Sequence, residues 1–439
     1  MHDPSGLQFL IASRQGEIAE LGDLTRTVDL VQSISALVHQ LQRERGLSNL
    51  FIASGGQRFA TERTAQLGIT DAAQAQADAQ LQRLDPTLAA APPAGQGSRL
   101  YARIAQALQA QAALPALRAA VQMQAMTAAR ATHAYVRVVG AWLGVVFEAA
   151  DIAADAEVSQ RLVSLFNLMQ AKEQAGQERA LGAALFAAGT VHTDDRMRLQ
   201  DLIEAQQRSL AVFEQFAADA ALHAWQAVQA QPGTRDRLRL RRLLLEPAAH
   251  GALNPAMSMP WFEACSATMD GLKAVEDALL VHLRSTCVVK CAALEHEVSA
   301  LFRLSQAAEQ PGGLLSAAQA LALLESGDRH GSTAPQAMFG TDAAHPTALA
   351  LPAQIAPQVA SLVASQAQRL GVVTAELDAA RAALQDRKLI ERAKGLLMQQ
   401  AALSEDDAYQ ALRRMAMRQG RRVGEVAADL LHRTDQVPD

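Results

Sequence analysis

What most constrains this 439-residue chain is the spacing of its apolar residues. From about Leu24 to Ala308 they recur at three- and four-residue steps, as in Val28, Val31, Ile34, Leu37, Val38 and Leu41. That period puts a continuous apolar stripe on one face of a helix. No alternating strand pattern of any length competes with it. Composition agrees: aromatics are only 4%, Ala and Gln are abundant, and β-branched clusters are few, a balance that suits helix interiors. Half of the residues are apolar and 19% are charged, enough to bury sizeable cores and contrary to wholesale disorder. The expected fold class is all-α, with long helices packed as bundles.

The spacing predicts helices over Leu30–Ile52, Leu100–Leu114, Val121–Ala150, Ser159–Ala188, Arg196–Phe216, Arg235–Leu245 and Trp261–Leu304. Turn chemistry separates them at Ala91-Pro92-Pro93-Ala94-Gly95, at Gln231-Pro232-Gly233-Thr234 and between Pro247 and Pro260. Within this region Glu44 to Gly55 aligns without gaps on Glu178 to Gly189, with Glu, Arg, Leu, Ala and Gly coinciding. The shared order of an Arg, an apolar helix and a closing Gly suggests two related half-bundles.

The longest apolar stretch, Val138 to Phe147, is too short to span a bilayer. The start, Met1-His2-Asp3-Pro4, lacks a basic-then-apolar signal pattern, and three cysteines make no disulfide framework. A cytoplasmic protein with no membrane association is expected.

Texture divides the chain further. The bundles occupy 24–308. Residues 309–357 hold five of the fifteen prolines, at 311, 335, 346, 352 and 357, and read as a linker. A connecting helix follows at 358–386. Val363, Leu370, Leu377 and Leu384 recur there at one heptad position, which fits a dimeric coiled coil or a helix packed on the body. Last comes a small module over 380–433. Overall the chain carries −5, from 40 basic and 45 acidic residues. Asp386 to Arg433 nevertheless holds ten Lys/Arg against seven Asp/Glu, leaving 30 against 38 elsewhere. The chain thus reads as a small basic tail domain on a larger acidic body.

The tail is sharply punctuated. Ser404-Glu405-Asp406-Asp407 reads as an N-cap with acidic residues in the first turn. A helix runs through Ala408, Leu412, Met415 and Ala416 to Arg418, and Gly420 follows as a C-cap. The next helix carries Val423, Val426, Ala427, Leu430 and Leu431. Chemistry alone allows a helix-turn-helix DNA reader, an RNA binder or a protein-docking module. The run Arg387 to Met398, then Ser404 to Tyr409, Leu412-Arg413, Met415-Ala416-Met417 and Val426-Ala427, closely resembles the ANTAR domain. That is an RNA-binding output module of transcription antiterminators, and the resemblance implies binding to paired hairpin loops in leader RNA.

The bundle region resembles the NIT domain, a nitrate- and nitrite-sensing module of two helical bundles. Its marks are Leu41-Gln42-Arg43-Glu44-Arg45-Gly46-Leu47-Ser48, Lys172 to Ala180, and the late helix from Trp261 to Leu283. Together the two resemblances imply a nitrate- or nitrite-responsive regulator that prevents transcription termination, with the anion as its signal and no other cofactor. The implied partners are leader mRNA hairpins and a second copy of the chain in a homodimer. The other reading open at this stage is a ligand-gated protein-interaction module whose helical tail docks a partner.

Nitrate is small and planar, and a guanidinium fork matches it through two parallel N–H bonds while staying charged when desolvated. The resemblance places ligand arginines in the Gln-Arg-Glu-Arg-Gly and Glu-Arg-Ala motifs and in a later helix. Arg45 and Arg179 are the leading candidates, and they occupy equivalent positions in the internal repeat. Arg43 lies two residues from Arg45, about 200° around the helix. In the cluster Arg235, Arg237, Arg239, Arg241 and Arg242, the choice falls on Arg239, with Arg242 in reserve. Without the resemblance, all of these read as helix-surface arginines paired with acids such as Glu44, Glu173 or Glu178.

For RNA, Arg387, Lys388, Arg392, Lys394, Arg413, Arg414, Arg421 and Arg422 are expected to meet phosphates. Tyr409 offers either a face for a splayed base or a core side chain. Cys287 and Cys291 share one helical face, a spacing more common in cores than in metal sites, so no metal is expected. No phosphate-cradling loop, His-Glu-x-x-His or nucleophile elbow is present, and an enzyme is not expected.

Overall fold

The computed structural model describes residues 6–84, 97–153, 155–246, 252–309, 389–390, 392–398, 405–419, 421 and 423–434. The linker assigned to 309–357, apart from its first residue, and the helix at 358–386 lie outside them. Ten long helices come first: α1 (Gly6–Ala53), α2 (Ala60–Arg83), α3 (Gly97–Gln111), α4 (Leu114–Gln122), α5 (Ala128–Ile152), α6 (Ala156–Ala188), α7 (Thr193–Phe216), α8 (Asp219–Ala230), α9 (Pro232–Leu245) and α10 (Ser258–Glu309). Two more close the chain, α11 (Glu405–Gln419) and α12 (Val423–Thr434). Among the described residues there are no strands, only an isolated bridge between Thr190 and Ala252. The chain is all-α.

Two compact units emerge. In the smaller one, residues 6–26 of α1 and 284–309 of α10 are joined by an ion pair from Arg14 Nε to Glu297, 3.3 Å long. Cys287 is buried there and Cys291 half-buried. Among the described residues no group of three or more His, Cys, Asp or Glu side chains is arranged to hold a metal ion.

The larger unit contains both half-bundles and the C-terminal module. In the first half-bundle, Val28, Val31, Ile34, Leu37, Val38 and Leu41 of α1 are all fully buried, so the stripe read from sequence is the core. Trp142 of α5 is buried with them and donates its indole N–H to Gln111, at 3.0 Å. In the second, Leu185, Phe186, Leu199, Leu240, Leu244, Trp261 and Cys265 form one cluster drawn from α6, α7, α9 and α10. Phe147 of α5 meets Phe166 of α6 edge to face where the halves join.

Local chemistry sets the helix ends. Asp155 caps α6 by accepting from the Val158 amide, at 2.9 Å. Gly189 closes the helix in the left-handed region, with φ +71°. Gly55 does the same after α1 at φ +65°, so both closing glycines of the internal repeat end a helix. The single helix expected over Val121–Ala150 is instead two. Gln124 turns into the left-handed region and Thr127 starts α5 by accepting from the Arg130 amide. Periodicity on either side concealed that break, because its cap is a lone Thr with no Pro or Gly.

In the C-terminal module, Ala393, Leu412 and Ala427 form the buried centre. Leu389, Ile390, Leu397, Met415, Val423, Leu430 and Leu431 pack around it. Small residues at the centre let α11, α12 and the helical residues 392–398 approach closely.

Candidate anion-binding site

The helical period fixes which side chains can meet between α1, α6 and α10. On α1, Leu41 and Gln42 face the core, and Arg45, one turn further on, is carried inward with them and is fully buried. Its Nη1 donates to Glu173 Oε1 at 2.5 Å and its Nη2 to Glu173 Oε2 at 3.2 Å, while Nε has no partner. Gln42 and Gln177 donate to the same carboxylate at 2.9 and 3.0 Å.

Arg179 projects from α6 in the opposite sense and is only 4% exposed. Its Nη1 donates to Ser266 Oγ on α10 and its Nη2 to the Gln42 carbonyl on α1, both at 2.9 Å. The guanidinium lies 4.6 Å over the Phe262 ring. Among the described residues no carboxylate comes within ion-pair distance of it. Burial, and after it the charge of Arg45, pushes the Arg179 guanidinium down to about 10. The Trp261 indole donates to the Arg179 carbonyl at 3.0 Å and fixes this turn of α6 against α10.

Two glycines make room for the guanidinium groups. A Cβ on Gly46 of α1 would stand 2.7 Å from Arg179 Nη2, and one on Gly176 of α6 would overlap Arg45 Nη2. Each arginine therefore lies on a glycine of the opposite helix. Charge completes the description. Arg45 and Arg179 bring two buried positive charges and Glu173 one negative, leaving a single uncompensated cation among the described residues of this buried cluster.

A second charged group lies on the far side of α6. Glu178, fully buried, accepts from Arg241 Nε and Nη2 at 2.7 and 2.6 Å, from Gln206 at 2.7 Å and from Arg237 at 3.3 Å. Burial holds Arg237 below its ordinary range, with Glu178 opposing the shift. The Cys265 thiol is within electrostatic reach of both arginine groups, and burial and Glu178 push it up.

The sequence candidates thus separate. Arg45 and Arg179 are both buried and within electrostatic reach of each other. Arg43 is exposed, 3.5 Å from Asp270. Arg239 and Arg242 lie on the exposed face of α9, and Arg237 and Arg241 point inward in their place. The phase of Thr234, Leu240 and Leu244, all buried, would have selected Arg237. Five leucines between 238 and 245 left that phase ambiguous. Among the acids, Glu173 and Glu178 pair with these arginines, whereas Glu44 is held by Arg118 at 2.8 Å and by the Tyr135 hydroxyl at 2.8 Å. Sequence reasoning also missed Lys172, which is fully buried and pairs with Glu276 at 2.6 Å.

In the C-terminal module Arg392 and Arg414 are exposed. Arg387, Lys388 and Arg422 lie outside the described residues. Lys394, expected at the RNA, is buried beside the module's centre. Arg421 is tied to Glu425 and Asp429 of its own module. Arg413 pairs with Asp201 and Glu204 of α7, and Gln410 also donates to Asp201. The Tyr409 hydroxyl accepts from Arg208, at 3.1 Å. One face of α11 is therefore seated on α7.

Comparison with known proteins relates both parts of the chain to described families. The pattern that defines the nitrate and nitrite sensing family matches residues 36–284, and that of the ANTAR domain matches 378–431. The chain is 33% identical over 430 residues to the nitrate regulatory protein of Klebsiella oxytoca, covering 98% of this chain and 95% of that protein. Its fold is similar to that of the NasR transcription antiterminator, with a TM-score of 0.57 at 30% identity, over 99% of this chain and all of that one. No helix among the described residues is long and apolar enough to cross a membrane. The chain belongs to the nitrate and nitrite sensing family, in the form that carries an ANTAR domain after the sensor.

Proposed function

We propose that this chain is a nitrate- or nitrite-responsive transcription antiterminator. It binds one anion between Arg45 and Arg179, and its ANTAR module then takes hairpin loops of a leader RNA and prevents termination. It acts as a binding protein rather than an enzyme, in the cytoplasm, and as a homodimer. The observation that carries the reading is the buried Arg179 guanidinium, which has polar contacts but no counter-charge among the described residues. A desolvated, unpaired cation costs several kcal/mol, and a bound monovalent anion would offset that cost.

The contacts of α11 supply the output side. While Asp201 and Glu204 hold Arg413, that guanidinium is unavailable to an RNA phosphate. Helix α7 connects the two sites: Gln206 reaches Glu178 and Ser209 reaches Gln174, both on the helix that bears Arg179. An anion that draws α1, α6 and α10 together changes the surface on which α7 rests. The ligand shifts the output only by its difference in affinity for the two arrangements, and a hundredfold preference corresponds to about 2.7 kcal/mol.

The test is binding of a two-loop leader RNA to the full chain, with and without nitrate, alongside Arg179→Ala. Nitrate should tighten RNA binding in the natural protein and have no effect in the variant. Equal RNA affinity in all four cases would remove nitrate control through Arg179. Absence of RNA binding in all four would favour a protein-docking tail.

A further inference from the structure

Among the described residues Glu173 is the one acid that touches Arg45, and it receives four hydrogen bonds, two from Arg45 and one each from Gln42 and Gln177. A carboxylate so fully satisfied has no reason to leave when an anion arrives. It therefore stays as a fixed negative charge within electrostatic reach of Arg179. The neighbouring charges do not alter the count. Lys172 and Glu276 neutralise each other, and Arg43 and Asp270 do so at the surface. What remains uncompensated is one positive charge.

We infer that Glu173 sets the valence of the anion this site accepts, admitting a monovalent oxyanion and rejecting a divalent one. The inference rests on the proposed anion site and adds its selectivity. Repulsion from a fixed carboxylate acts on every anion, but acts twice as strongly on a double charge, and a site shielded from water screens little of it. Shape does not make this distinction as well, since a guanidinium fork binds planar and tetrahedral oxyanions alike. Glu173 would thus keep abundant sulfate and hydrogen phosphate out of a pocket whose arginines would otherwise attract them.

The experiment measures nitrate and sulfate binding to the full chain by calorimetry at constant ionic strength, for the natural protein, Glu173→Gln and Glu173→Asp. The natural protein should favour nitrate. In Glu173→Gln the affinity of sulfate relative to nitrate should rise at least tenfold, or about 1.4 kcal/mol. Glu173→Asp, which keeps the charge, should retain the natural ratio. If the unpaired Arg45 lowers the melting temperature of Glu173→Gln, the ratio is read from how far each anion raises it, with sulfate gaining on nitrate. An unchanged ratio overturns the inference and leaves the nitrate site standing. Loss of both anions from a folded Glu173→Gln also overturns it, because Glu173 would then only orient Arg45. Failure of the natural protein to bind nitrate or nitrite removes the site and the inference together.

Discussion

Arg45 and Arg179 owe their reach to what stands opposite them. Glycine is needed at 46 and 176 because a methyl group there would occupy guanidinium space. Gly176→Ala should displace Arg45, destabilise the protein by about 1–3 kcal/mol as overpacking does, and weaken nitrate binding. Thermal melts and calorimetry would read the two effects, and an unchanged nitrate affinity would show that Arg45 does not need that surface. His39 lies nearby on α1. Burial, followed by the charges of Lys172, Lys273, Arg43 and Arg179, holds its imidazole down to about 2. Half-exposed Asp270, 3.6 Å from Nε2, does not offset them. The unfolded chain takes up this proton near pH 6.5 and the folded chain does not. His39 therefore contributes its full stability above pH 6.5 and loses it as pH falls towards 2, at up to about 1.4 kcal/mol per pH unit. His39→Gln should flatten the acid limb of a stability–pH curve between pH 6 and 4. An identical slope would show that other groups dominate it.

At the scale of elements, α7 has two working faces. Leu199, Gln206 and Phe213, buried at seven-residue steps, bind it to the sensor. Asp201, Glu204 and Arg208 lie on the opposite side and hold α11. Neutralising that outer face leaves the packing face untouched. Asp201→Asn combined with Glu204→Gln should therefore raise RNA affinity in the absence of nitrate towards the nitrate-bound level, with little change in melting temperature. A filter-binding titration measures it, and an RNA affinity still dependent on nitrate would assign the restraint elsewhere. This two-sidedness was invisible along the chain, because an acidic helix face has the same pattern whether it meets water or a basic module. The junction between α4 and α5 was hidden for a different reason: a Thr cap signals a helix start only weakly when apolar spacing continues past it.

For the molecule as a whole, anion binding and folding are linked. Pairing Arg179 with a counter-ion should add RT ln(1 + [L]/Kd) to the stability of the full chain, so its melting temperature should rise as nitrate increases. Arg179→Ala should abolish that dependence. A nitrate-induced rise that persists in the variant would move the site to another arginine group, with Arg237 and Arg241 next in line.

Apolar periodicity by itself determined the helical class, the six-residue core stripe of α1 and the glycine ends of α1 and α6, because those depend on neighbours three or four positions away. Motif order likewise determined the family and brought forward Arg45 and Arg179. Only the tertiary structure decided that Arg179 has no counter-charge among the described residues, that Glu173 neutralises Arg45, that Arg237 and Arg241 rather than Arg239 and Arg242 face inward, and that Arg413 is held by α7. Each of those depends on which side chains from distant helices are brought together. Charge pairing over a hundred residues of sequence leaves no local pattern, and it is settled only when the helices pack.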